Sequence, residues 1–468
     1  MMMKVQARGM LIILSAAILL AGFQSAQAQT EIRDWNDLHD IRDNLAGSYV
    51  LMNDLDQDSP GYATYNTNEG WLPIGTVDTP FTGTFDGNGY TISGLTIDRD
   101  TGYNGLFGDA VDATVRNVGI VNANIRTSGA WNGVLFGRVT ASTIQNVYST
   151  GVLVQDDQAN FHHGGLIGQI RGGRLIKSWS SVDITTIGRL MGGLIGTITS
   201  FDNSPAVVEE TYATGDVTCL ADDGDITLYR WVGGLVGQFG GSSIIRNSYA
   251  TGTVTAYSQV GGLVGYHWRG SLIENSYSIG AVTGELQAGG LVGHRDPDQG
   301  EVIGIVTNSY WNSETGGVDD GVGFGKTEGV SAKTTAEMKE QGTYTDWDFQ
   351  FVWAFDESVN DGYPIFLFQV PTSSETVPQL PQELVLNQNY PNPFNPSTVI
   401  SYQVTEQQHV RLSVYDVTGR LIAVLVDQQQ SPGDYQVNWD AGQLSSGVYI
   451  YRLEAAGQTL SRTMTFVK

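Results

Sequence analysis

Apolar residues along most of this chain fall in short runs of alternating or β-branched character, punctuated by glycine, asparagine and serine. Residues 243–255 read Ser-Ile-Ile-Arg-Asn-Ser-Tyr-Ala-Thr-Gly-Thr-Val-Thr, rich in β formers with turn residues between them. Helix-forming Lys, Glu and Leu are sparse there, so the pattern predicts short strands and tight turns.

The pattern also repeats. A glycine–leucine–apolar–glycine core recurs seven times, centred on Leu106, Leu135, Leu166, Leu194, Leu235, Leu263 and Leu291, with Val134 replacing the first glycine of the second copy. Its final glycines (Gly108, Gly137, Gly168, Gly196, Gly237, Gly265 and Gly293) are 29, 31, 28, 41, 28 and 28 residues apart. Six copies then carry an aromatic residue (Tyr148, Trp179, Tyr212, Tyr249, Tyr277 and Tyr310), and the first has Gly119 there, as a terminal repeat would. A unit of this length cannot bury its own apolar face, but stacked copies share one core. The expected fold is all-β, a parallel β-solenoid (β-helix), with the double glycines supplying positive-φ corners. Asn146, Asn247, Asn275 and Asn308 stand two residues before the aromatic, while Lys177 and Glu210 interrupt that column. Stacked asparagines predict an amide ladder. The aromatic column predicts packing, with a sugar-stacking platform as the functional alternative.

These repeats resemble the GLUG family over residues 105–312. Residues 29–104 are similar to what precedes such repeats and are expected to cap and begin the solenoid, with a tight turn at Asp86-Gly87-Asn88-Gly89. Residues 313–370 lose the repeat, and their bulky side chains, among them Trp347, Trp353 and Phe366, are expected to close its other end. GLUG repeats also accompany immunoglobulin-A-specific metallopeptidases, but the His-Glu-x-x-His signature is missing from this sequence.

Residues 1–28 have the form of a secretory signal: Lys4 and Arg8, an apolar stretch, then Ala26-Gln27-Ala28 as the cleavage site. A Pro-spaced linker is expected over residues 371–383. Residues 384–468 alternate strands and turns in the manner of a seven-stranded immunoglobulin-like β-sandwich. This tail is similar to the C-terminal sorting domain of type IX secretion cargo of Bacteroidetes-like bacteria. The resemblance rests on Asn389-Tyr390-Pro391-Asn392-Pro393-Phe394-Asn395-Pro396, on the stretch from Tyr415 to Arg420 with Asp416 and Gly419, on Gly447 and Tyr449, and on the terminal Lys468. It also resembles the immunoglobulin-like domain of flagellar hook-capping proteins. The sorting resemblance implies the type IX secretion machinery as partner, and delivery to the medium or to the outer-membrane surface of a Gram-negative bacterium.

Composition narrows the chemistry. The 468 residues include 59 glycines and one cysteine, Cys219, which lies in an insertion between repeats and leaves no internal disulfide. Net charge is −25, and removing Lys4 and Arg8 with the signal makes it −27, which argues against nucleic acid as a partner. No stretch of the mature chain is apolar enough to span a bilayer. The neighbouring acids Asp156-Asp157, Asp222-Asp223 and Asp319-Asp320 lack the spacing of a glycosidase pair. His162-His163 reads as a solvated turn. Calcium is the one candidate cofactor, at Asp222, Asp223 and Asp225 in the longest insertion, with Asp54-x-Asp56-x-Asp58 a weaker alternation. The composite expectation is an exported, non-enzymatic surface protein whose solenoid serves adhesion or binds a glycan, matrix polymer or host or cell-surface protein. The alternatives are a secreted polysaccharide-degrading β-helix and a structural envelope or matrix protein.

Overall fold

The computed structural model describes residues 29–155, 161–220, 230–268, 270–296, 304–370, 384–389, 391–404, 408–430, 433–442, 444–455 and 458–468. The cleavage-site residues Ala26 and Ala28, the linker, and the calcium candidates Asp222, Asp223 and Asp225 lie outside these. The chain divides into two compact units, Met1–Val370 and Pro371–Lys468.

The first unit is a parallel β-solenoid. Its most regular column passes through Phe107, Phe136, Ile167, Ile195, Val236, Val264, Val292 and Val322, each paired in register with the next. A second column begins before the repeats, at Thr30–Ile32, Ser48–Leu51 and Thr84–Asp86, so residues 29–104 already build rungs. Thr84–Asp86 and Thr91–Ser93 flank the expected tight turn, and both pair with the following coil, not with each other. The repeat leucines Leu106, Leu135, Leu166, Leu194, Leu235, Leu263 and Leu291 are all fully buried. Each such leucine contributes roughly 1.5–3 kcal/mol of transfer free energy, a gain repeated in all seven copies.

The glycines have a different role from the one expected. The corner φ values are carried by Asn117, Asn146, Lys177, Glu210, Asn247, Asn275 and Asn308, all between 44° and 55°. The double glycines that open the repeat cores, Gly164-Gly165, Gly192-Gly193, Gly233-Gly234, Gly261-Gly262 and Gly289-Gly290, have no left-handed φ. A Cβ on Gly262 would lie 2.1 Å from the Gly290 oxygen, so they and the closing glycines stand where chains approach too closely for a side chain. A Cβ on Gly265 would lie 2.4 Å from the Val232 nitrogen and 2.7 Å from the Gly237 oxygen. Gly119 is likewise no terminal oddity: the Tyr148 ring of the next coil lies over it, 2.2 Å from where its Cβ would be.

Both ends of the core are closed by tryptophan. At the N-terminal end the helix Trp35–Asp40, capped by Asp34, buries Trp35 and Leu38 against the first rungs, with Trp71 edge-on to Trp35 at 5.6 Å. At the other end Trp311 occupies a column that is small in the five coils before it (Ser149, Ser180, Ala213, Ala250 and Ser278), after Ile92 and Ile120 in the first two coils. Only there does no further complete coil compete for the space. Val322–Phe324 and Val330–Lys333 add the last rungs, so residues 313–333 continue the solenoid. The bulky residues expected to plug the end run instead along its side.

The insertion between the fourth and fifth repeats also differs from expectation. Cys219 is not outside the core: it ends the strand Val217–Cys219, is 7% exposed and packs in the solenoid core.

The second unit is an antiparallel β-sandwich. One sheet has three strands, Val385–Leu386, Ser397–Val404 and Gly433–Asp440, and the other four, Gln408–Asp416, Leu421–Gln430, Gly447–Ala455 and Gln458–Phe466. Its core gathers alternate residues of both sheets, among them Ile400, Tyr402, Leu412, Val414, Tyr451, Leu453 and Met464.

Candidate functional site

The aromatic column is a continuous stack of five rings along the solenoid. Tyr148, Trp179, Tyr212, Tyr249 and Tyr277 stack with centroids 4.6, 5.5, 4.9 and 5.0 Å apart and planes within 11° of parallel. In-register strands about 4.8 Å apart impose this spacing. Because each ring faces its neighbours, the column presents ring edges to the outside, while a sugar ring needs an open face. The packing role is the one the geometry supports.

Residues 334–370 lie along half of this column. Trp353 packs against Tyr249 and Tyr277, Phe366 against Tyr212 and Tyr249, and Trp347 against Tyr277 and Tyr310. The two tryptophans also donate hydrogen bonds to corner residues: Trp353 Nε1 to Asn247 Oδ1 at 3.4 Å and Trp347 Nε1 to the Asn308 carbonyl at 3.0 Å. Tyr249, Tyr277 and Tyr310 are consequently buried, whereas Tyr148, Trp179 and Tyr212 remain half-buried. Burial raises the Tyr249 and Tyr277 hydroxyls far above the ordinary phenol range. The aromatic density of residues 344–368 carried a signal for this strap, but nothing in it names the lateral face.

The corner column forms one amide bond, Asn146 Nδ2 to Asn117 Oδ1 at 3.0 Å. Where Lys177 and Glu210 interrupt the asparagines they face each other, 3.9 Å apart, so a charge pair takes the place of the amide. Burial raises the Glu210 carboxyl despite Lys177.

His162 and His163 form no solvated turn. His163 is fully buried beside the Asn132 amide at 3.1 Å, and His162 stacks on Trp131 with its Nδ1 2.7 Å from Thr197 Oγ1. Burial and the neighbouring His163 lower His162 to about 3, and burial, with Arg295, lowers His267 to about 3. The acids are equally committed. Asp54 accepts from Thr91 N and Oγ1, and Asp56 from Asp58 N, Ser59 N and Ser59 Oγ, so these two carboxylates hold turns. Among the described residues no three His, Cys, Asp or Glu converge as metal ligands. Asp319 and Asp320 are exposed. A shallow depression of about 350 Å³ at the N-terminal end is lined by His39, Tyr65, Leu72 and Arg99 among others, with the Arg99 guanidinium held by Glu69 at 2.8 Å.

In the tail, the residues of the sorting resemblance form two turns. Asp416 Oδ1 accepts from Thr418 N, Thr418 Oγ1 and Arg420 N, and its Oδ2 accepts from Arg420 Nε, which together hold its carboxyl down at about 2. Gly419 takes φ +83° in this turn and has open space around it. At the second turn Tyr449 donates to the Ser445 carbonyl at 2.8 Å, and the Lys468 nitrogen donates to Ser446 Oγ at 2.9 Å beside Gly447.

Fold and side chains thus define a parallel β-solenoid repeat protein carrying an antiparallel sandwich tail. Residues 388–467 match the Secretion system C-terminal sorting domain, and residues 232–255 and 256–283 each match the GLUG motif. The tail indicates type IX sorting and marks a secreted or cell-surface protein of a Bacteroidetes-type bacterium. The chain is 33% identical over 173 residues to halomucin of Haloquadratum walsbyi, a match spanning 36% of this chain and 2% of halomucin. Among solved structures it is similar to a putative immunoglobulin A1 protease from Bacteroides ovatus, with a TM-score of 0.48 and 20% identity over 74% of this chain and 94% of that one. It is also similar to a structure described as IgA1 Protease, with a TM-score of 0.45 and 19% identity over 68% of this chain and 24% of that one. No helix among the described residues is long and apolar enough to cross a membrane.

Proposed function

We propose that this chain is a non-enzymatic surface protein, exported by the type IX machinery, whose solenoid serves adhesion by binding a partner molecule. The observation that carries the reading is the sorting-domain match over residues 388–467 on the same chain as a stacked repeat array. Asp416, Gly419, Arg420, Gly447, Tyr449 and Lys468 form the surface that the machinery reads: two turns, each fixed by its own hydrogen bonds, offer a preformed shape at no ordering cost. The commitment of His162, His163, Asp54 and Asp56 to internal bonds supports binding over catalysis, since a general acid or base must be free to exchange its proton.

Fractionation of the native cell tests the export half. The full chain is expected in the medium or at the surface, and a chain ended after residue 383 in the periplasm; equal export of both forms would defeat the reading. The binding half is tested by screening the mature chain on arrays of glycans and matrix proteins. Cleavage of an arrayed glycan, in place of retention on a spot, would favour the polysaccharide-degrading alternative.

A further inference from the structure

The aromatic column is covered over only part of its length, and the covering shows what the column accepts. Phe366, Trp353 and Trp347 meet the column tyrosines at interplanar angles of 41–59° wherever they lie on Tyr212, Tyr249 and Tyr310. Such tilted contacts set the ring of one partner against the edges of a stack. The indole N–H groups then find an acceptor at the left-handed corner residue two positions before a column tyrosine, as Trp353 does at Asn247 and Trp347 at Asn308.

The uncovered coils continue the ring column, and beyond the Lys177–Glu210 pair the corner is again an asparagine. Asn146 has φ 51° where Asn247 has 47°, and it stands two residues before Tyr148 as Asn247 stands before Tyr249. Its amide nitrogen is engaged by Asn117, which leaves the oxygen as the acceptor an indole N–H needs. Tyr148 and Trp179 stack 4.6 Å apart at 6°, so the edge surface is as regular here as under the strap. At the boundary, Phe366 touches Tyr212, and Phe368, 45% exposed, stacks on Phe366. The neighbouring Leu367 donates its backbone N–H to the Val352 carbonyl, and both Leu367 and Phe351 are more than 40% exposed. The strap therefore ends at Tyr212, next to the open rungs, with Phe368 stacked on its last column contact.

We infer that the open stretch of the column, Asn146 with Tyr148 and Trp179, is a docking groove for an extended segment of a partner protein carrying tryptophan or phenylalanine side chains. The argument is continuity: the groove prolongs an interface that this chain already forms with such a segment of its own. The inference rests on the reading of the solenoid as a binding module and names the chemistry of its partner. A glycan is the less favoured ligand, because the column offers ring edges and its faces are occupied.

The probe is a fluorescent synthetic peptide of residues 347–368, the chain's own covering sequence, titrated by anisotropy into the mature full-length chain. Saturable binding is expected, weakened about tenfold or more by Tyr148→Ser or Trp179→Ser and by serine at both tryptophans of the peptide. Asn146→Gly keeps the left-handed corner while removing the acceptor and the bond to Asn117, so it is expected to weaken binding less than the ring variants with only a small change in thermal unfolding, which guards against a misfolded variant. Absence of binding would overturn the inference. So would binding undiminished in the Tyr148 and Trp179 variants, which would mean displacement of the resident strap, or oligosaccharide binding that these variants abolish. None of these readouts depends on export, so a failed sorting experiment and a failed peptide titration remain distinguishable.

Discussion

The solenoid and the tail are both built from strands, yet they constrain sequence in opposite ways. In the solenoid each residue lies on its own counterpart one coil away: Val236 on Val264 on Val292, Tyr249 on Tyr277 on Tyr310. In the tail each strand meets a different sequence, such as Arg411 beside Glu454 and Ser413 beside Arg452. Self-stacking favours residues that tolerate a copy of themselves, and aliphatic, aromatic and amide side chains do. Charges do not, since like charges directly opposite one another are destabilising. Some charges that enter a solenoid column meet the opposite sign, as in Asp86 with Arg116 at 2.8 Å, Glu209 with Arg246 at 2.7 Å, and Lys177 with Glu210, and others, such as Arg171 beside Thr140 and Thr199, meet neutral residues.

The contrast can be broken experimentally, beginning where the effect is largest. Trp311→Ala opens the end of the shared core and is expected to cost about 3–5 kcal/mol in the solenoid's unfolding transition while leaving the tail's unchanged. Calorimetry resolves the two, and a shift of the tail alone would break the assignment of Trp311 as the end plug. Glycine to alanine separates the two roles of glycine. Gly265→Ala meets backbone atoms at 2.4 Å and is expected to cost about 3 kcal/mol. Gly419→Ala meets no atom within 4 Å and is expected to lose only the left-handed penalty of about 1–2 kcal/mol. At the corners, Asn275→Ala should cost about 1–2 kcal/mol and Asn275→Gly far less, because the requirement is φ 48° and not the amide. The smallest effect is expected from the double change Lys177→Asn with Glu210→Asn, within about 0.5 kcal/mol, because it exchanges one self-compatible pair for another.

Acid separates the units as well. His162 and His267 are lowered from 6.5 to about 3, so the folded solenoid holds them neutral while the unfolded chain protonates them. Their contribution is complete above pH 6.5 and is lost progressively as pH falls from there towards 3. Asp416 is lowered from 3.8 to about 2, so its contribution is complete above pH 3.8 and is lost only as pH falls through about 2. Thermal scans between pH 7 and pH 4 are therefore expected to lower the solenoid transition first. His267→Gln should flatten that dependence.

Much of the fold was legible because a repeat is a fold-level signal written many times. The seven cores located the buried leucines, and the aromatic spacing located a column that the register then confirmed. The sandwich was legible from alternation and turns. Sequence spacing suggests torsional freedom for the double glycines, whereas Gly262 is needed for lack of volume, and it suggests a solvated turn at His162-His163, where His163 is fully buried. Volume and burial depend on what the neighbouring coil brings, and single-coil spacing does not carry that. Cys219 was misplaced for the same reason: its stretch breaks the repeat in sequence while its strand still pairs with the coil before it.

Sequence alone determined the solenoid, the sandwich and the sorting tail, because each depends on local patterns recurring at fixed spacing. Tertiary structure decided which half of the aromatic column is covered, and by what. Residues 334–370 have no repeat, and their place beside Tyr212, Tyr249, Tyr277 and Tyr310 is set by long-range packing of rings as far apart in sequence as Tyr212 and Phe366. No local pattern encodes such a contact. The open stretch at Tyr148 and Trp179 exists only because that strap stops where it does.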